Sequence, residues 1–201
     1  MPLISSCVVP ALRTAPDQRQ EFREREEIVR YALSLTGIKD LRAKNDSFRN
    51  DCSGFVIGVF KSMGYIIDLS DTGRTRATES MYFMLRSRGL TYIKGVPQKG
   101  DVVFFKNTTY EREGRVSHVG IVADIMRNGT VLIVHYGSAG VSKLRMNLSY
   151  PHTQRNEDGL VLNDILKSGR KGEGDFILSG ELFHSYGNFY AYAVRGERGL
   201  M

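Results

Sequence analysis

The stretch RNDCSGFVIGVF, residues 49 to 60, places a cysteine between an acidic residue and an apolar run. The apolar residues are spaced so that they share one face of a helix: Phe55, Val56, Val59, Phe60 and Met63. This period predicts a buried helix from about Cys52 to Met63, ended by Gly64. Cys52 would then stand in the first turn, either as a nucleophile or as a small buried residue.

A cysteine at the start of a helix can be chemically activated. Unpaired amide N–H groups and the helix dipole place partial positive charge there, which lowers the pKa of a thiol. The same amides could bind an oxyanion, and Gly54 would leave room for a substrate close to the Cys52 sulfur. A free cysteine is equally often a small core residue, so this stretch alone leaves both interpretations open.

A nucleophilic cysteine requires a base, and two histidines stand at the ends of strand-like runs. His118 opens SHVGIVAD, and His135 closes TVLIVHYG. A four-residue loop between the strands would place the two side chains opposite each other, about 5 Å apart at Cβ. A two-residue turn centred on Asn128 and Gly129 would instead move them about 13 Å out of line. The spacing permits a His–His pair and leaves the register open.

The chain as a whole predicts helices first and strands afterwards. We expect further helices at about 17–35 and 75–87, on either side of the Cys52 helix in sequence. Strands are expected at DVVFFK (101–106), SHVGIVAD (117–124), TVLIVHYG (130–137), VSKLRMN (141–147) and NFYAYAVRG (188–196). This order is typical of an α+β fold with a largely antiparallel sheet.

The length of 201 residues is enough for a core that needs no disulfide or metal. We expect a flexible N-terminal lead-in at 1–18 and a single domain at 19–201, as a monomer. Residues 151–187 have no clear period and are expected to form an inserted excursion. The two cysteines and four histidines form no ligand motif, so we predict neither a metal nor a cofactor.

The composition limits the kinds of partner that we expect for this protein. A net charge of +6 and a pI of about 9.4 favour polyanions, but the basic residues are dispersed, so we predict no nucleic-acid binding. No apolar run reaches 18 residues, so we predict no transmembrane segment. Cys7 follows Ile-Ser-Ser, which resembles the sequence before the lipidated cysteine of bacterial lipoproteins. Only six residues precede it, fewer than a secretory signal needs, so Cys7 is either a lipid anchor or a chance likeness.

Four segments in a fixed order resemble the NlpC-type family of papain-like peptidoglycan cysteine peptidases: DCSGFV, PQKGDVVFF, SHVGIVAD and VHYGSAGV. The resemblance covers residues 20–147 and 188–196, about two-thirds of the chain. It implies a papain-like α+β fold in which N-terminal helices, with the nucleophile at a helix start, pack on a largely antiparallel sheet. The aromatic-Gly-Gly segment that commonly precedes the cysteine in the family is absent from LRAKNDSFRN (41–50).

The resemblance also assigns roles to individual residues. It implies that Cys52 is the nucleophile, that His118 is the general base and that His135 holds the His118 imidazole in the useful tautomer. In the family, the residues flanking the cysteine help to bind the free amino end of a stem peptide, which points to Asp51 and Ser53. Asp51 could equally cap the helix that carries Cys52.

The implied function is a cell-wall hydrolase that cleaves an amide bond in peptidoglycan stem peptides, and we expect the bond between D-glutamate and a diamino acid. Its location would be the bacterial cell envelope, as a periplasmic protein or a lipoprotein, or outside the cell. A related papain-like amidase, a delivered antibacterial toxin or a lipid acyltransferase would use the same three residues. An inactive wall-binding domain is a further alternative.

Overall fold

The computed structural model describes residues 18–69, 76–109, 114–168 and 176–197. The helices in these ranges are α1 (Gln18–Ser34), α2 (Cys52–Ser62), α3 (Ala77–Ser87), α4 (Ser179–Leu182) and α5 (Phe189–Glu197). The strands are β1 (Thr91–Tyr92), β2 (Val102–Lys106), β3 (Val116–Ile125), β4 (Val131–Gly137), β5 (Gly140–Met146), β6 (Ile165–Ser168), β7 (Phe176–Leu178) and β8 (Phe183–Gly187). No helix in the described ranges is long and apolar enough to cross a membrane.

The main sheet has six strands in the order β1-β8-β2-β3-β4-β5, and every neighbouring pair is antiparallel. Strands β6 and β7 form a separate antiparallel pair. The predicted α+β class is therefore confirmed, as are the three N-terminal helices and the four strands predicted between residues 101 and 147. Gln18 already belongs to α1, so the predicted lead-in extends one residue too far, and the rest of it, with Cys7, lies outside the described residues.

Helix α2 begins at Cys52 because Asp51 caps it. The Asp51 side chain accepts a hydrogen bond from the Gly54 amide at 2.6 Å. A side chain at Gly54 would place its Cβ 2.5 Å from the Cβ of Arg49, and one at Gly58 would meet the Phe48 ring. The expectation that Gly54 leaves room for a substrate is wrong, since that space holds the segment leading into the helix.

The helices cover one face of the sheet. Strand residues on this face include Val102, Phe104, Val119, Ile121 and Val134. They belong to one core cluster with buried side chains of α1, α2, α3 and α5, among them Ile28, Phe55, Phe60, Leu85 and Phe189. The nucleophile candidate therefore starts a helix whose next eight residues, 53–60, are buried.

The opposite face of the sheet is covered by parts of the predicted excursion at 151–187. Strand residues on this face include Val103, Phe105, Val122, Ile133 and Leu144. The side chains that pack on them from the excursion are Leu166, Ile177, Leu182, Phe183 and Tyr186. The excursion also supplies β8, which lies between β1 and β2 in the main sheet. Its last residues are thus part of the sheet, and much of the remainder covers it.

The predicted strand at 188–196 is wrong, because this segment forms helix α5. The Asn188 side chain accepts a hydrogen bond from the Ala191 amide at 2.8 Å, which caps the helix. Apolar residues occupy both sets of alternating positions, so alternation gave no polar face that would distinguish a strand from a buried helix. The buried residues are Phe189, Tyr190, Tyr192, Ala193 and Val194.

Candidate active site

A groove with a volume of about 760 Å³ lies at the start of α2, beside the ends of β3 and β4. Cys52, His118 and His135 all line this groove. The fold therefore brings together residues from a span of 83 positions in the chain. Asp51 lines it as well. Residues from the 151–168 segment form a further wall: Gln154, Asp164, Ile165 and Leu166.

The two histidines are joined by a hydrogen bond of 2.8 Å between His118 Nε2 and His135 Nδ1. Gly120, not His118, is the direct partner of His135, so the rings meet on a diagonal of the β3–β4 pair. The strands are joined through residues 126–130, and β3 carries an irregularity between Val122 and Asp124. Neither of the two predicted registers occurs, although the predicted pairing of the side chains does.

Gly120 makes this diagonal contact sterically feasible. A Cβ at this position would lie 2.6 Å from Ile133 Cγ2 and 3.1 Å from His135 Cβ. Any side chain here would therefore push the His135 strand or its imidazole out of place. The glycine in the HVGI segment is explained by this contact.

His135 is buried, with 7% of its surface exposed. Burial, assisted by the neighbouring His118, lowers the pKa of His135 to about 3, so its ring is neutral at neutral pH. Its second nitrogen, Nε2, lies 3.2 Å from Ser142 Oγ. In one tautomer arrangement His118 Nε2–H donates to His135, and His135 Nε2–H donates to Ser142. This arrangement leaves Nδ1 of His118 able to accept a proton.

Cys52 is half-buried, and its sulfur is held by several polar groups. Thr78 Oγ1 lies 3.6 Å from Sγ, and the amides of Val119 and Ser53 also form hydrogen bonds with the sulfur. Since Val119 directly follows His118, the sulfur lies beside the backbone that carries the candidate base.

Burial raises the pKa of the Cys52 thiol, and the Asp51 carboxylate raises it further. The hydrogen bonds to the sulfur act in the opposite direction but do not outweigh burial. The expectation that the helix start lowers this pKa is therefore wrong. Cys52 carries its proton at neutral pH and can become a thiolate only if a nearby base removes that proton.

Asp51 and Ser53 make local contacts around the helix start. Asp51 Oδ1 accepts from the Gly54 amide and from the Ser53 hydroxyl, and Oδ2 accepts from Arg49 Nε at 3.1 Å. Burial alone would raise the pKa of Asp51, but hydrogen bonds from Ser53, Gly54 and Arg49 hold it below its ordinary value. The capping interpretation of Asp51 is observed. Ser53 is only 5% exposed, and its role in substrate binding, like that of Asp51, stays a prediction.

Comparison with known proteins identifies the family. The model of the NlpC/P60 family matches residues 37–159, which is more than half of the 201 residues. The chain belongs to the NlpC/P60 family. The matched segment contains Cys52, His118 and His135, and it ends before β8 and α5. The predicted family and its papain-like α+β fold are confirmed, and membership in NlpC/P60 supports a hydrolase that acts on the cell wall.

Among solved structures, the chain is similar to an N-acetylmuramoyl-L-alanine amidase from Staphylococcus aureus. The sequence identity is 18%, the TM-score is 0.39, and the match covers 56% of this chain and 31% of the amidase chain. The NlpC/P60 chain described here thus corresponds to about a third of that protein's length. No curated protein matches its sequence.

Two polar residues of this NlpC/P60 site were not found from the sequence. Ser142 faces His135 because a two-residue turn at Ser138 and Ala139 sets the β4–β5 register. Recognising this turn in the sequence would have predicted the pairing of Ser142 with His135. Thr78 reaches the Cys52 sulfur only through the packing of α3, which no local pattern indicates.

The two remaining histidines lie outside the groove. His152 is exposed, and its Nδ1 lies 3.1 Å from Glu181 Oε1. His184 is half-buried and lines a second cavity.

Proposed function

We propose that this protein is a cysteine hydrolase that cleaves an amide bond in peptidoglycan stem peptides, between D-glutamate and a diamino acid. The observation that carries the proposal is the convergence of Cys52, His118 and His135 on one groove, with the two imidazoles 2.8 Å apart. Membership in the NlpC/P60 family supports the class of substrate.

The first step forms a bond between the Cys52 sulfur and the substrate, and the thioester arises when the amine leaves. Nδ1 of His118 takes the proton of the Cys52 thiol as Sγ attacks the carbonyl carbon of the scissile amide. The raised pKa of Cys52 makes this proton transfer necessary, because the free thiol is not ionised at neutral pH. The negative charge that develops on the carbonyl oxygen faces the amide of Cys52 itself, whose N–H has no acceptor within the helix. The Gly54 amide is already bonded to Asp51 and does not take part.

The second half of the cycle returns the enzyme to its starting state. The imidazolium of His118 gives its proton to the leaving amine nitrogen as the C–N bond breaks. Water then attacks the thioester, His118 accepts a proton from it, and Cys52 leaves and is reprotonated. His135 stays neutral throughout and stabilises the imidazolium by accepting a hydrogen bond from Nε2.

The groove supports a peptide as the substrate. Its volume of about 760 Å³ is in the range of small-molecule sites, which suits a short peptide segment. Asp51 lies at the Cys52 end, where its carboxylate could contact the free amino end of the stem peptide. Tyr136 also lines the groove, with its hydroxyl donating to the Lys39 carbonyl oxygen at 2.7 Å, and offers an aromatic wall to the substrate.

The location of the protein follows from this proposal. An enzyme with this substrate acts in the bacterial cell envelope or outside the cell. A lipid anchor at Cys7 and a monomeric state remain predictions, and Cys7 lies outside the described residues.

The test is the mass of the products released from a purified muropeptide that carries a tetrapeptide stem and, in parallel, from the free tetrapeptide, whose amino end is not linked to a sugar. We expect a sugar fragment that retains L-alanine and D-glutamate, together with a free dipeptide that begins with the diamino acid. Release of the whole stem peptide from the sugar would contradict the proposed bond and favour the amidase alternative. Cleavage of the free tetrapeptide alone would show that the enzyme requires a free amino end. No cleavage of either compound would contradict the proposed activity and favour a wall-binding domain or a lipid substrate.

A further inference from the structure

A second cavity, with a volume of about 370 Å³, lies between α3 and the ends of β2, β3 and β8. Among the described residues, none lines both this cavity and the catalytic groove. Three cationic side chains line it, and each comes from a different part of the fold: Arg86 at the end of α3, Lys106 at the end of β2 and Arg115 just before β3. Glu79 is the one carboxylate among the described lining residues.

The three cations are exposed and carry the same charge around one cavity. Within the described part of the chain, none of Arg86, Lys106 and Arg115 has a carboxylate within ion-pair distance. Like charges around one cavity repel one another, and solvent screens this repulsion only in part.

His184 forms part of the same cavity and reports on its charges. Its ring lies against the edge of Tyr82, with centroids 4.8 Å apart, so the imidazole is held in place. Burial lowers the pKa of His184, and the charges of Lys106 and Arg86 lower it further. The ring is therefore neutral at neutral pH, and it supplies one N–H donor beside the cations.

We propose that this cavity binds a phosphoryl group, either free or esterified, through Arg86, Lys106 and Arg115. Among the described lining residues, three cations against one carboxylate, Glu79, leave a local charge that a dianion would balance. Guanidinium groups match the geometry of phosphate oxygens with paired N–H donors, and the lysine adds a point charge. A monocarboxylate has fewer oxygens and less charge, so it would satisfy fewer of these donors.

Helix α3 connects the cavity with the catalytic groove. Helix α3 carries Thr78 to the Cys52 sulfur and, two turns later, Arg86 to the cavity. The separation along the helix from Thr78 to Arg86 is about 12 Å. A phosphate ester within a polymer could therefore occupy the cavity while another part of the same assembly lies near Cys52.

The experiment follows the His184 ring signals by NMR while inorganic phosphate is added to the whole protein at low salt. The signals are assigned with His184→Asn. We expect a saturable shift with a dissociation constant on the order of 1 mM. Lys106→Gln and Arg86→Ala should each weaken binding roughly tenfold, since each removes a charge-assisted hydrogen bond. Lys94→Ala and Arg127→Ala remove exposed charges outside the cavity and should leave the affinity unchanged.

Glycerol phosphate and acetate test which class of anion the cavity binds. Glycerol phosphate binding as tightly as inorganic phosphate would assign the site to esterified groups, whereas inorganic phosphate binding alone would assign it to the free ion. Acetate should bind at least about tenfold more weakly than phosphate. The proposal is overturned by the absence of a saturable shift, by equal effects in the cavity and control variants, or by acetate binding as tightly as phosphate.

Discussion

His118 Nε2 lies 2.8 Å from His135 Nδ1, although the two residues are not direct partners across the β3–β4 pair. The diagonal contact is set by the irregularity in β3 and by the missing side chain at Gly120. Because His135 is buried and neutral, it can fix which nitrogen of His118 carries a proton without competing for it. The site therefore combines a protonated thiol with a candidate base, His118, whose orientation is set by its hydrogen bond to His135.

The histidine pair can be tested by substitution at each position. His118→Ala should lower kcat/KM by about 10²- to 10⁴-fold, the usual contribution of a general base. His135→Ala should cost about tenfold to a hundredfold, as expected for a lost hydrogen bond to an imidazolium. His135→Asn supplies an amide oxygen that can accept from His118 and should recover part of that loss. If His135→Ala turned the substrate over as fast as the wild type, the orienting role would be excluded.

Ser142 is expected to position His135 through its hydroxyl group, 3.2 Å from Nε2. Ser142→Ala should lower kcat about two- to tenfold with little change in KM, since the residue acts through the histidines. Ser142→Thr keeps the hydroxyl and should restore most of the rate. The acidic limb of the pH profile of kcat/KM should also move in the alanine variant. An unchanged profile together with an unchanged kcat would contradict the role.

The buried state of His135 predicts a dependence of stability on pH. Its pKa is about 3 in the folded protein, below the ordinary value of 6.5. Between these values the unfolded chain takes up a proton that the folded chain does not, so the free energy of unfolding falls as the pH decreases from 6.5 toward 3. Above pH 6.5 the residue adds no dependence. Urea unfolding at pH 7 and pH 4.5 should show a larger loss for the wild type than for His135→Asn, and equal losses would refute the assignment.

Two substitutions of Asp51 distinguish its role as a helix cap from a role in substrate binding. Asp51→Ala should lower the free energy of unfolding by about 1 kcal/mol, because the Gly54 amide loses its acceptor. Asp51→Asn is an equally good cap and should leave that free energy nearly unchanged. If the carboxylate also binds the amino end of the substrate, Asp51→Asn should raise KM. Equal destabilisation by the two variants, measured by urea unfolding, would contradict the capping role.

Much of the fold was predictable because local patterns and tertiary packing agree. The apolar face of α2 and the β-branched runs of β2, β3 and β4 have the period of the element that they form. The error at 188–196 arose where apolar residues fill both alternating sets, so that burial on all sides hides the helical period. Strand β8 was missed because its residues, FHSYG, show no alternation of apolar and polar side chains.

The candidate site was predictable in its residues but not in its geometry. Cys52, His118 and His135 follow from ordered motifs, whereas the diagonal contact depends on an irregularity in β3 that no residue type marks. The direction of the pKa shift of Cys52 could not be derived either. The helix start favours a thiolate, but burial against the sheet disfavours it, and the extent of burial is a property of the folded chain.

The most direct test of the account is the turnover of a purified muropeptide by Cys52→Ala, compared with the wild type under identical conditions. The substitution removes only the sulfur from a half-buried position, and an unchanged far-UV circular dichroism spectrum would show that the fold is retained. The folded variant should release no product, because no thioester can form. Product release by the folded variant at the wild-type rate would contradict the central role of Cys52.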